Sequence, residues 1–157
     1  MTIRIASHRT VLLGFVSATL AVLGAAAAWL FVDRAQPLRI PTDDPAVLAL
    51  GAELYAEHCA ACHGVELEGE PDWRVRRVDG TLPAPPHDAT GHTWHHSDAE
   101  LVAITRHGIE PFAPEGYRST MPAFDGILDE VEIRAILAYI KSRWPDEIRR
   151  LQDRLND

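Results

Sequence analysis

Both cysteines of this 157-residue chain stand in one hexapeptide, Cys59-Ala60-Ala61-Cys62-His63-Gly64, three positions apart and with a histidine directly behind the second. Two residues between the thiols, within a helical turn, bring both sulfurs under one edge of whatever they hold, and the next side chain turns an imidazole toward it. The flanking pattern says that the object held is large. Asp44-Pro45 reads as an N-cap followed by proline at the first helical position, and Val47, Leu50, Gly51, Leu54, Tyr55 and His58 recur at helical spacing, so a helix is expected from about Pro45 into the hexapeptide. Ser97-Asp98-Ala99-Glu100 is a capping box that opens a second helix stopped by Gly108, and Asp129-Glu130-Val131-Glu132 opens a third, with Ile133, Ile136, Leu137, Ile140 and Trp144 as its apolar stripe up to Pro145. Between them lie residues 64–97 and 109–128, rich in proline and glycine and without a sustained period. Loops that long inside a compact domain need something beneath them, and three or four helices are too few to close a core alone.

Cys-x-x-Cys-His is the attachment signal of c-type haem: the thiols bond to the two vinyl groups of the porphyrin and the histidine offers an axial nitrogen to the iron. The competing readings are weaker on their own terms. A thioredoxin-like pair wants a βαβ setting, and no stretch here alternates as a strand; half of a zinc site wants two more ligands, and there are no further cysteines. Haem supplies the apolar mass that the polypeptide lacks, so the fold class expected is all-α: three to five helices wrapped around one covalently attached haem, with an N-terminal transmembrane helix.

That last element comes from residues 11–32, which carry no charge and nothing more polar than Ser17 and Thr19. At 1.5 Å per residue they span roughly 33 Å, enough to cross a hydrocarbon core of about 30 Å. A cleaved signal peptide competes, with Ala25-Ala26-Ala27 as the cleavage site; against it, the apolar run continues through Trp29-Leu30-Phe31-Val32. The organisation expected is a cytoplasmic N-terminus at 1–10, a transmembrane signal-anchor at 11–32, a linker at 33–44, the haem domain at 45–145 and a charged helical tail at 146–157. Arginines near the span number two on each side, Arg4 and Arg9 against Arg34 and Arg39, so loop charge does not set the direction. From residue 33 onward thirteen basic residues face 23 acids, a formal −10, which argues against a nucleic-acid binder and for basic partners or none.

Apart from the initiator, Met121 is the chain's one methionine, 58 positions after His63 in Ser119-Thr120-Met121-Pro122-Ala123-Phe124, where proline stiffens the presenting loop. A gap-filling methionine competes with an axial thioether, which would favour ferrous iron and raise the reduction potential. His87, His92, His95 and His96 fall within ten residues but lack regular ligand spacing, and solvated side chains compete with a copper site or a replacement ligand there.

Gly51 with Tyr55, the Cys59-to-His63 motif, Met121-Pro122 and Ile136-Leu137-Ala138-Tyr139-Ile140-Lys141 together resemble a class I c-type cytochrome of bacterial type, membrane-anchored and with a single haem. The resemblance covers about residues 45–145. It implies that Gly51 and Tyr55 meet Ile136 and Tyr139 across a close helix crossing. It implies that a proline carbonyl, from Pro83, Pro85 or Pro86, accepts from the free nitrogen of His63. It also implies export to the periplasmic side of the bacterial inner membrane, where thioether bonds form. Trp94, Arg106, Tyr117 and Arg118 are candidate donors to the haem propionates, which need partners if buried.

The function expected is one-electron transfer by a membrane-tethered carrier with His63 and Met121 as axial ligands. It is expected to be no enzyme by itself, to serve respiratory or periplasmic redox proteins, and to bind no nucleic acid or small-molecule substrate. Two alternatives stay open: a haem-bearing subunit of an oxidase or dehydrogenase complex, and a five-coordinate haem sensor or peroxidase in which Met121 is no ligand.

Overall fold

A computed structural model describes residues 38–157; the expected cytoplasmic terminus and membrane span lie outside them. Among the described residues there is no strand, and no helix is long and apolar enough to cross a membrane. The domain is all-helical, as its composition of periods implied. Helix α1 runs Pro45–His58, α2 is the single turn Ala60–His63, α3 is Asp98–His107, α4 is Glu130–Ser142 and α5 is Asp146–Asp153. Short 3₁₀ turns lie at Thr93–His95, Glu110–Phe112 and Arg154–Asn156.

The helix starts are local chemistry. Asp44 caps α1 by accepting from the amides of Ala46 and Val47, with Pro45 at the first turn. Ser97 with Glu100 and Asp129 with Glu132 form reciprocal capping boxes on α3 and α4, each satisfying amide donors that would otherwise be orphaned. Pro145 separates α4 from α5.

The scaffold is the crossing of α1 and α4. A Cβ at Gly51 would lie 2.0 Å from the Ala135 carbonyl oxygen and 3.0 Å from Tyr139 Cβ, so only glycine permits this approach. Tyr139 is met as expected, and the backbone of Ala135, the residue before the expected Ile136, lies directly against Gly51. Tyr55 packs its ring 5.5 Å from that of Tyr139 and donates its hydroxyl to the Gly64 carbonyl at 2.8 Å, tying the crossing to the turn behind the cysteine motif. Leu54, Ile133, Ile136, Leu137, Ile140 and Trp144 complete a buried apolar cluster, each such side chain contributing about 1.5–3 kcal/mol.

A buried ionic clamp holds the ends together. Asp98, fully buried, receives Lys141 Nζ at 2.7 and 2.9 Å, the Ile40 amide at 2.7 Å and Gln152 Nε2 at 2.7 Å, while its own amide donates to Asn156 Oδ1. Three donors making four hydrogen bonds to one carboxylate leave neither charge uncompensated. Ile40 is itself in the core. Residues 38–44, expected as linker, therefore belong to the fold at this end, because the Ile40 amide is needed by a buried anion. The tail helix docks for the same reason, through Gln152 and Asn156.

Candidate functional site

Between α3, α4 and the two long loops opens a cleft with an empty volume of about 1300 Å³, solvent at its mouth included. Its walls are largely apolar, among them Leu82, Leu101, Ile104, Ile136 and Ile140. Cys59, Cys62, His63 and Met121 all line it. Both cysteines are free thiols. Burial pushes the Cys59 thiol up to about 11, and it is a neutral thiol at neutral pH.

The wall behind His63 is stitched. The Gly69 amide donates to the His63 carbonyl at 2.7 Å; the Glu70 amide donates to the Ala84 carbonyl at 2.9 Å; and the Ala84 amide returns to Glu70 Oε2 at 2.6 Å. Gly69 has φ +68°, and a Cβ there would lie 2.5 Å from the Pro86 nitrogen, so this residue lets the proline segment come close. The result is one specific contact. His63 Nδ1 lies 2.8 Å from the Pro85 carbonyl oxygen. A carbonyl only accepts, so Nδ1 carries the proton and the free lone pair is on Nε2. Burial holds the imidazole's pKa below its ordinary value, which the Pro85 bond opposes, and the ring is neutral near pH 7. His87 stacks on it with ring centroids 3.9 Å apart, and Trp144 Nε1 donates to the His87 carbonyl at 2.7 Å.

Of the prolines, Pro85 takes the place expected of it, Pro83 lines the cleft, and Pro86 does not reach it. The Pro86 carbonyl instead faces Gly91 and receives Thr93 Oγ1 at 3.5 Å, since the chain turns back there. Trp94 also stands outside the cleft wall. It stacks on His95 at 3.7 Å, and its buried Nε1 has no partner among the described residues. Tyr117 does line the cleft. Arg106 is taken by Glu130 at 3.0 Å, and Arg118 donates to the Asp79 carbonyl at 3.1 Å. His92 and His96 line the cleft with their rings 5.7 Å apart, and no group of three or more metal-ligating side chains occurs among the described residues. Trp73, which no periodic or motif signal marks, supplies a further wall, stacked on His92 at 5.4 Å.

A family model described as cytochrome c matches residues 48–144. The chain belongs to the cytochrome c family. Over 103 residues it is 30% identical to the protein of Bradyrhizobium sp. (strain ORS 278) described as cbb3-type cytochrome c oxidase subunit FixP, an alignment covering 66% of this chain and 30% of that one. It is 27% identical over 110 residues to the FixP subunit of Azorhizobium caulinodans, covering 68% and 34%. It is 32% identical over 94 residues to cytochrome c6 of Tetradesmus obliquus, covering 59% and 86%. The chain thus matches about a third of the length of the FixP relatives and most of the cytochrome c6.

The family carries covalent haem c and transfers electrons, and the cleft fits that cofactor. Two thiols at the attachment spacing, a neutral imidazole with its lone pair on Nε2, and apolar walls around them suit a large apolar macrocycle.

Proposed function

We propose that the chain is a one-electron carrier in which Cys59 and Cys62 hold the porphyrin, His63 Nε2 is the fifth ligand and Met121 sulfur the sixth. The observation that carries this is the His63–Pro85 contact at 2.8 Å. It fixes the tautomer, orients the ring and raises the basicity of the nitrogen left free. The haem, when bound, supplies one-electron exchange between ferrous and ferric iron. The protein's part is to keep the surroundings fixed while charge changes. Leu101, Ile136 and Ile140 exclude water from the walls, and Pro122 limits the backbone that presents Met121. Tyr117 offers a hydroxyl at the cleft to a propionate, whereas Trp94 and Pro86 act behind the wall as packing. With both axial positions taken by side chains there is no seat for a substrate, so the chain is no enzyme by itself.

Residues 11–32 are proposed as an uncleaved anchor in the bacterial inner membrane, with 1–10 cytoplasmic and the haem domain periplasmic. The domain then begins near residue 38 and includes the tail helix, so the free tether shortens to a few residues. A tether that short favours a fixed place beside a membrane partner over wide excursion. The two oxidase-subunit relatives favour a second reading, a haem-bearing subunit of an oxidase complex. Copurification of a catalytic subunit with the solubilised full chain would select it.

Absorption spectra of the matured protein test the ligand set. The ferric form should show the weak sulfur-to-iron charge-transfer band, and Met121→Ala should abolish it while the haem stays attached through acidified acetone. Carbon monoxide binding to the ferrous wild type without denaturation would instead establish an open sixth position and sink the carrier reading.

A further inference from the structure

We infer, resting on the ligation proposed above, that His87 is a positioning residue for the axial imidazole: its ring lies flat on that of His63, fixes the plane of the ligand and, by offering it a π face, favours the oxidised state. The two ring centroids are 3.9 Å apart and the planes 20° from parallel. Aromatic rings left to themselves meet offset or edge to face, as Tyr55 meets His87 at 6.3 Å and 71°. A stack this flat and close has to be held, and His87 is held at three points. Its amide donates to the Leu67 carbonyl at 2.8 Å, its carbonyl receives Trp144 Nε1 at 2.7 Å, and its Nδ1 is paired with Thr93 Oγ1 at 2.8 Å. All three anchors are buried: Leu67, Trp144 and Thr93.

Pro85 and His87, two positions apart, thus act on one ring in two directions. The Pro85 carbonyl takes the proton at the edge, on Nδ1, and the His87 ring covers a face. A hydrogen bond to one edge atom leaves the imidazole free to rock about it, and a flat neighbour removes that freedom. The consequence for charge has a sign. A ring face is negative at its centre and attracts a cation. When the His63 ring shares the extra positive charge of the ferric state, the His87 face stabilises that charge, and the ferrous state gains less. His87 therefore pulls the reduction potential down where the Met121 thioether pulls it up. Plain packing has no such sign: leucine would fill the same wall, and water admitted by a poor fit would favour the more charged ferric state.

The test is a mediated redox titration of the matured full chain in phosphatidylcholine nanodiscs, one electron per haem, beside electron paramagnetic resonance of the ferric form. His87→Leu should move the ferric–ferrous equilibrium about tenfold toward ferrous, an upward shift of about 59 mV, and should broaden the low-spin signals as the ligand plane loses its single setting. His87→Phe, which keeps a ring face and cannot take a proton, should stay within about twofold of wild type with narrow signals. Should the leucine variant not take up haem, Thr93→Val decides, since it releases the ring without emptying the wall. About a twofold move toward ferrous with broadened signals is then expected, and an unchanged potential and spectrum overturns the proposal. Leucine and phenylalanine variants of equal potential overturn it too. So does a leucine variant whose potential falls, the sign of water entering a wall that was only packed. The sulfur-to-iron charge-transfer band of the wild type, recorded on the same samples, separates the two readings. Its absence sinks the Met121 ligation whatever the variants do, whereas its presence with equal potentials sinks the role of His87 alone.

Discussion

The two walls of the cleft are built differently. Behind His63 the segments 63–70 and 84–88 exchange backbone hydrogen bonds, and two side chains of the scaffold reach in: Tyr55 to the Gly64 carbonyl, and Trp144 to the His87 carbonyl. On the Met121 side the chain is held mainly at its ends. Gly108 ends α3, the Met121 amide rests on Ser119 Oγ at 3.0 Å, and the helices are rejoined where Phe124 and Asp125 donate to the Thr105 and Arg106 carbonyls. Under the proposed ligation one axial position is set by a network and the other by a loop. The difference predicts that the imidazole stays while the sulfur is the first contact to yield.

Glycine substitutions read this contrast most strongly. Gly69 and Gly116 both have positive φ, +68° and +80°, so alanine is strained at each. At Gly69 the new Cβ would also lie 2.5 Å from the Pro86 nitrogen and 2.7 Å from the Pro85 carbonyl carbon; at Gly116 nothing lies within 4 Å. Gly69→Ala should cost at least about 3 kcal/mol and impair haem incorporation, and Gly116→Ala only about 1 kcal/mol. Urea denaturation of the two matured variants compares them. Equal losses would show that the proximal wall is no stiffer than the distal one.

Local chemistry explains what the sequence made legible. Caps, stripes and the cysteine motif each act within a few residues, so Asp44, Ser97, Asp129 and the cleft position of Cys59, Cys62 and His63 could be read directly. The choice of Pro85 over Pro83 and Pro86 could not, because it depends on Gly69 folding a separate segment against the prolines. Asp98 looked like one residue of a capping box. Its pairing with Lys141, 43 positions away, is tertiary and has no local trace.

Met121→Ala should separate ligand loss from fold loss. Because the methionine loop contributes little to the scaffold, the expected cost is about 1–2 kcal/mol, below the usual range for a fully buried methionine. The reduction potential should fall as the soft sulfur is lost, read by redox titration beside urea denaturation. Global unfolding would show that the methionine side supports the fold after all. Ser119→Ala frees the Met121 amide without touching the sulfur, at a cost of about 1 kcal/mol. Its signature should be easier displacement of the sixth ligand by added imidazole, with a stability loss by urea denaturation within about 0.5 kcal/mol of that cost.

The smallest effect is expected from acid. The Glu70 carboxylate lies below the ordinary glutamate value of 4.5, held there first by the Ala84 amide and then by Arg77. Folding therefore favours its ionised form, and the stabilisation is fully present above 4.5 and lost as pH falls through the lower folded value. Solvent reaches this carboxylate and screens it, so the loss is modest. Yet the same bond fixes the strand of chain that carries the Pro85 carbonyl, and its loss should be felt at His63 before it is felt globally. In mild acid the haem spectrum should shift while the helical circular dichroism holds, and Glu70→Gln should flatten that shift because an amide keeps the acceptor but not the proton. A spectrum as acid-sensitive in Glu70→Gln as in wild type would mean that the proximal network is fixed by its backbone bonds alone.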